Sequence, residues 1–146
     1  MEEILLLLEQ IPTNGAVLPE AKRLVKEWAY ENLVGCILNT PVFPFPISFP
    51  RYGVNEITNR MRRKVEHERL AAILDLPKII AQPNLWIYKS FALTNPDARH
   101  LDVAKFHYLQ VPINGAIYQL DVKQLHKPNQ DGLTYFAYYF KKASSI

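Results

Sequence analysis

The chain has 146 residues, 49% of them apolar and 21% charged, enough to bury one ordinary core, too short for two comfortable domains, and unlike a disordered tail. Seventeen Lys and Arg against fourteen Asp and Glu leave a net charge of +3, which permits a polyanionic partner without requiring one. The lone cysteine, Cys36, excludes an internal disulfide, no zinc-type Cys/His spacing occurs, and no apolar run reaches the ~18–20 residues of a membrane span.

The first apolar stretch, Ile4–Leu8, follows Glu2 and Glu3 and ends at Glu9. That flank is wrong for a secretory signal, so the expectation is a soluble domain in a reducing compartment. Pro12-Thr-Asn-Gly15 breaks the stretch. From Pro19, Ala21, Leu24, Val25, Trp28, Ala29 and Leu33 recur at helical spacing, and Gly35 is a natural stop. Pro41-Val-Phe-Pro-Phe-Pro-Ile-Ser-Phe-Pro50 lacks ladder donors at its prolines, which restricts it to an edge strand or an extended arm. Val54, Ile57, Met61 and Val65 form one helical stripe, and a second helix over Glu66–Asp75 is expected to end at Leu76-Pro77.

After Pro83 the period changes to two. Leu85–Phe91, Lys105–Ile113, Ala116–Val122 and Leu133–Phe140 read as strands, with Asn114-Gly115 as a strong hairpin signal. Helices followed by a strand meander predict an α+β fold: amino-terminal helices packed on one face of a roughly four-stranded antiparallel sheet. Residues 1–15 are read as a short leading segment and 16–146 as a single domain. Charge is uneven along this order, net −3 over residues 1–35, +3 over 51–69 and +3 over 70–146. A nucleic-acid surface on one side of the molecule would produce that polarity, though such asymmetry usually carries no function.

No short catalytic signature is present, so candidates come from spacing. Glu56, Asn59, Arg60, Arg63, Lys64 and His67 fall away from the Val54/Ile57/Met61/Val65 stripe. Guanidinium groups grouped in that way suit phosphate, while the plain alternative is a solvated helix face partnered by Glu66 and Glu68. Lys105 and His107 share one face of a strand, ahead of Leu109, Val111 and Ile113. They would stand at the rim of an apolar sheet, a proton carrier beside a cation, or simply form a half-exposed strand end. Near the carboxyl end, Tyr135, Ala137 and Tyr139 are expected on one face and Phe136, Tyr138 and Phe140 on the other. That pattern serves base stacking or a strand buried on both faces. His100 and His126 sit among loop residues and receive no role. Cys36, in Val34-Gly-Cys-Ile-Leu, reads as an inert packed thiol.

The order of these pieces resembles nuclease-like domains of large phage and mobile-element polyvalent proteins, in the barnase/EndoU/colicin-ribonuclease/RelE superfamily. The resemblance rests on the helix Ala21-Lys-Arg-Leu-Val-Lys-Glu-Trp-Ala-Tyr-Glu-Asn-Leu-Val-Gly35, the step Ile47-Ser-Phe-Pro-Arg-Tyr-Gly53-Val54 and Leu76-Pro77-Lys-Ile-Ile80. It is completed by the His-containing hairpin Phe106-His-Tyr108-Leu-Gln-Val111-Pro-Ile113-Asn114-Gly115 and by Asp131-Gly132-Leu-Thr-Tyr135-Phe136. Together these span roughly residues 20–142. The family's hairpin histidine aligns with His107 or, counted strictly back from Asn114-Gly115, with Lys105. Ala137 stands where relatives commonly carry an acid, and Asn59 or Arg60 where some carry a histidine.

The resemblance implies a barnase- or RelE-like ribonuclease domain over 16–146, acting on RNA, tRNA among the candidates, without a metal or other cofactor. It implies a toxin or phage setting, action in the cytoplasm after delivery from a larger protein or phage, a neutralising immunity or antitoxin partner, and no membrane. In such chemistry the RNA 2′-hydroxyl attacks the adjacent phosphate. His107 would be acid or base, Glu56 its partner base, and Lys105 and Arg60 the phosphate stabilisers. Arg51, Arg63 and Lys64 would guide the backbone, and Tyr108 or Tyr135 would stack on bases. Two rival readings stand beside it: a catalytically inactive RNA- or protein-binding module of the same fold, and a purely structural piece of a larger protein.

Overall fold

The computed structural model describes residues 1–59, 66–94 and 102–145. In chain order these form α1 (Glu2–Gln10), α2 (Leu18–Asn32), β1 (Ile37–Thr40), β2 (Phe43–Ser48), α3 (Arg51–Asn59) and α4 (Glu66–Ile80). The remainder forms β3 (Ile87–Thr94), β4 (Val103–Ile113), β5 (Ala116–Leu125) and β6 (Tyr135–Ser145). The strands make one six-stranded sheet in the order β1-β2-β6-β5-β4-β3.

The α+β class stands, but the sheet is larger than the expected four strands and is mixed rather than purely antiparallel. β1 precedes the Pro41–Pro50 segment and β2 lies within it; that segment, expected as an edge strand or an extended arm, sits between β1 and β6. β1 and β2 pair as an antiparallel hairpin, and β2 then touches β6 in parallel at a single register pair, Ser48↔Phe136. Prolines 44 and 46 withhold donors, so β2 cannot sustain a long ladder. The hairpin instead reaches over the sheet, with Phe43 stacked 5.9 Å from Tyr88 on β3 and Thr40 Oγ1 donating to the Pro83 carbonyl at 2.8 Å.

The β4–β5–β6 meander follows from local chemistry. Asn114 and Gly115 both take positive φ (50° and 79°), which closes a two-residue hairpin with Ile113↔Ala116 as its first pair. Asn129 Oδ1 accepts from the Asp131 and Leu133 backbone amides, shaping the next turn. In β6 the expected alternation fails after Ala137. Val122 pairs with Ala137 and Asp121 with Tyr139, so Tyr138 is an inserted residue. Tyr138 and Tyr139 consequently both join a small cluster with Val103 and Phe106, while Tyr135, Ala137 and Phe140 stay in the main core.

That core joins alternate residues of β4–β6 to one stripe from each helix: Ile4 and Leu8 of α1, Val25 and Ala29 of α2, Val54 and Ile57 of α3, Leu70 and Ile73 of α4. The spacings of three and four place each pair on one helix face. α3 lies so close to β6 that a Cβ on Gly53 would overlap the Ala137 carbonyl oxygen, which only glycine avoids. α4 runs on to Ile80 with Pro77 inside it, past the expected stop at Leu76-Pro77. Leu76 is fully buried, and Ile79 and Ile80 pack on the core. That burial, on the order of 1.5–3 kcal/mol per large side chain, offsets the helix bond that proline lacks.

Candidate functional site

At the end of the sheet remote from the Asn114-Gly115 hairpin, the last rows of β4, β5 and β6 bring polar side chains onto the helix-covered face. Lys105 pairs with Gln124 and Gln124 with Tyr135, while the next row aligns His107, Val122 and Ala137. Tyr88 on β3 stands opposite Leu109 and leans toward His107. His107 is only 8% exposed. Its Nδ1 lies 3.0 Å from the Tyr88 hydroxyl and its Nε2 lies 2.8 Å from Gln124 Oε1. With an amide oxygen as acceptor, Nε2 carries the proton and Nδ1 accepts from the Tyr88 O–H, an assignment made from the partners.

Aromatic rings wall this histidine. Phe43 meets it edge-on with centroids 5.0 Å apart, Tyr135 is tilted at 5.8 Å, and Phe45 lies nearly parallel on Tyr135 at 4.7 Å and 10°. Burial pushes the imidazole pKa below the ordinary histidine value; the Gln124 hydrogen bond opposes the shift and the Lys105 charge adds to it. His107 is therefore a neutral imidazole at pH 7. Lys105 is exposed and has no ion-pair partner among the described residues. A hydroxyl held by a neutral ring nitrogen, with an ammonium on the same face, can relay a proton beside a stabilised oxyanion.

Among the described residues, the others expected to join this group take up different positions. Glu56 is half-buried on α3, the helix packed on β6, and it is not a hydrogen-bond partner of His107. Arg51 is exposed and places its guanidinium 4.2 Å from the Tyr30 ring centroid. Tyr108 points to the opposite face of β4, where burial and the Asp121 carboxylate raise its pKa. Tyr135 does lie beside His107, but it is buried under Phe45. Arg60, Arg63 and Lys64, together with His100, lie outside the described residues. Arg69, the last residue of the net-positive stretch 51–69, is buried: its Nε donates to the Phe140 carbonyl at 2.8 Å, and its Nη2 donates to the Ile57 carbonyl.

α3 ends against α2. Lys22 Nζ donates to the Asn59 carbonyl at 3.3 Å and Lys26 Nζ to Asn59 Oδ1 at 3.2 Å, cations placed at a helix carboxyl end. These residues, with Leu18, Pro19 and Arg23, line a cavity of about 440 Å³. A second cavity, of about 510 Å³, opens between α1, α4 and the Asn114-Gly115 turn. Neither contains His107. Cys36 is half-buried, donates to the Asn32 carbonyl at 3.4 Å, and has its thiol pKa pushed up by burial.

Two members of the His107 group escaped the sequence reading, Tyr88 and Gln124. Each lies on a strand adjacent to His107, and only the strand register reveals them. Phe45, also passed over, carried a legible signal: a large apolar side chain between two prolines that withhold ladder donors on both sides of it.

Among the described residues no three His, Cys, Asp or Glu side chains gather to hold a metal ion, and no helix is long and apolar enough to cross a membrane. No curated protein and no solved structure matches the chain. A family model does match residues 16–138, from the turn that opens α2 to the middle of β6, and the chain belongs to that family, large polyvalent protein-associated domain 3.

Proposed function

We propose that this domain is a metal-independent endoribonuclease whose reacting centre is the Tyr88–His107–Gln124 chain beside Lys105. The observation that carries the proposal is the geometry of the His107 ring: Nε2 lies 2.8 Å from Gln124 Oε1 and Nδ1 lies 3.0 Å from the Tyr88 hydroxyl, a pairing that suits a donor at Nε2 and an acceptor at Nδ1. In the reading offered here, the 2′-hydroxyl of RNA loses its proton through Tyr88 to His107 Nδ1 as its oxygen attacks the adjacent phosphorus. The Lys105 ammonium stabilises the dianionic phosphorane, and the P–O5′ bond breaks with the leaving oxygen protonated from solvent at the open rim. The products are a 2′,3′-cyclic phosphate and a 5′-hydroxyl. The sequence resemblance to nuclease-like domains of phage polyproteins supports this reading, while membership of a family associated with large polyvalent proteins supports the polyvalent-protein setting alone.

One observation favours a second reading, an RNA-binding module without catalysis. Both ring nitrogens of His107 are already engaged and the ring is nearly sealed. Incubating the full chain with end-labelled RNA in EDTA separates the two. Fragments ending in 2′,3′-cyclic phosphate support the enzyme, and retention of intact RNA on the protein supports the module. Absence of both cleavage and binding at low ionic strength sinks both readings.

A further inference from the structure

We infer that Phe45 is a docking platform for an unpaired nucleobase whose phosphate is held by Lys105, a subsite that rests on the RNA reading above. The side chain is 48% exposed, unusual for a phenylalanine in a strand. Its ring is held from beneath by Tyr135 at 4.7 Å and 10° and from the side by Phe43 at 6.0 Å and 72°. Pro44 and Pro46 restrict the backbone on both sides, so the ring is presented with little conformational freedom left to lose on binding.

The surroundings select the ligand. Tyr135 pairs with Gln124 and Gln124 with Lys105, so the Lys105 backbone lies two strand spacings, about 10 Å, from that of Tyr135, with both side chains on the same face. A flat π surface next to an exposed cation fits a base with its attached phosphate, the combination by which single strands are held without sequence readout. An apolar protein partner would have no use for the cation. Base pairing would deny the platform its ligand, so duplexes should not use it.

The test is fluorescence anisotropy of the full chain with a labelled 2′-O-methyl oligouridylate, which cannot undergo 2′-hydroxyl attack, and with a duplex of the same length. Phe45→Ala should weaken single-strand binding about tenfold or more. Phe45→Trp should restore it, and neither change should alter duplex binding. If the wild-type chain binds the single strand and Phe45→Ala binds it equally well, the platform is wrong while the RNA reading stands. If the wild-type chain binds neither strand form at low salt, both fall. A Phe45→Ala loss that Phe45→Trp does not restore also overturns the platform, because an aromatic surface is its whole content.

Discussion

A buried imidazole with a hydroxyl on one nitrogen and an amide on the other has a definite response to acid. An unfolded histidine takes up its proton near pH 6.5, whereas His107 in the fold resists protonation because burial and the Lys105 charge disfavour the cation. Below about pH 6.5 the unfolded chain therefore binds more protons than the folded one, and stability falls as pH falls through the interval down to the depressed folded value. Denaturant titrations across that range should show this loss in the wild-type chain and a flatter profile in His107→Gln. Equal slopes in the two proteins would remove the coupling. Lys105 and His107 were legible as a pair because a strand alternates with period two. What surrounds them was not legible, since Tyr88 and Gln124 are 19 and 17 residues away in sequence.

The elements show where local chemistry decides and where it loses. Asn114-Gly115 dictated its hairpin unaided, and the α2 stripe Ala21, Val25, Ala29 identified its buried face. β1, by contrast, is four residues of mixed polarity whose pairing exists only because β2 folds back on it. The parallel contact of β2 with β6 spans most of the chain and leaves no local signal. The bulge at Tyr138 reverses the expected faces of the strand's end, which no alternation pattern announces. Arg69 reads in the sequence as one more cation of a basic run, yet it joins α4 to the last turn of α3 and to β6 by donating to two carbonyls. Arg69→Met should therefore cost about 3 kcal/mol in unfolding experiments, by leaving buried acceptors unpaired. Arg69→Lys should recover only part of that, because an ammonium lacks the fork that spans both acceptors. A loss under 1 kcal/mol for Arg69→Met would show that those bonds are dispensable.

At the scale of the molecule, the family match begins at residue 16, yet α1 is part of the packed body. Ile4 and Leu8 are each 6% exposed within the main core, while Leu5 and Leu6 on the same helix are 45% and 59% exposed. Leu8→Ala should destabilise the whole domain by about 3 kcal/mol, seen as a single shifted transition. A variant that unfolds like the wild type would make α1 an appendage. The helices, clamped by Arg69 and held tightly to β6 at Gly53, leave one end of the sheet to the proline-rich hairpin. That arrangement puts the imidazole, the Tyr88 hydroxyl and the Lys105 ammonium at a single rim.

The most direct measurement is the single-turnover cleavage rate of a labelled RNA by the wild-type chain and by Tyr88→Phe, with RNA affinity measured in parallel. Removing one oxygen deletes the proton path from substrate to His107 while keeping the ring against Phe43. The rate should drop about a hundredfold, within the usual range for losing a general base, with affinity unchanged. Equal cleavage rates in the two proteins would contradict a reacting centre built on this hydroxyl.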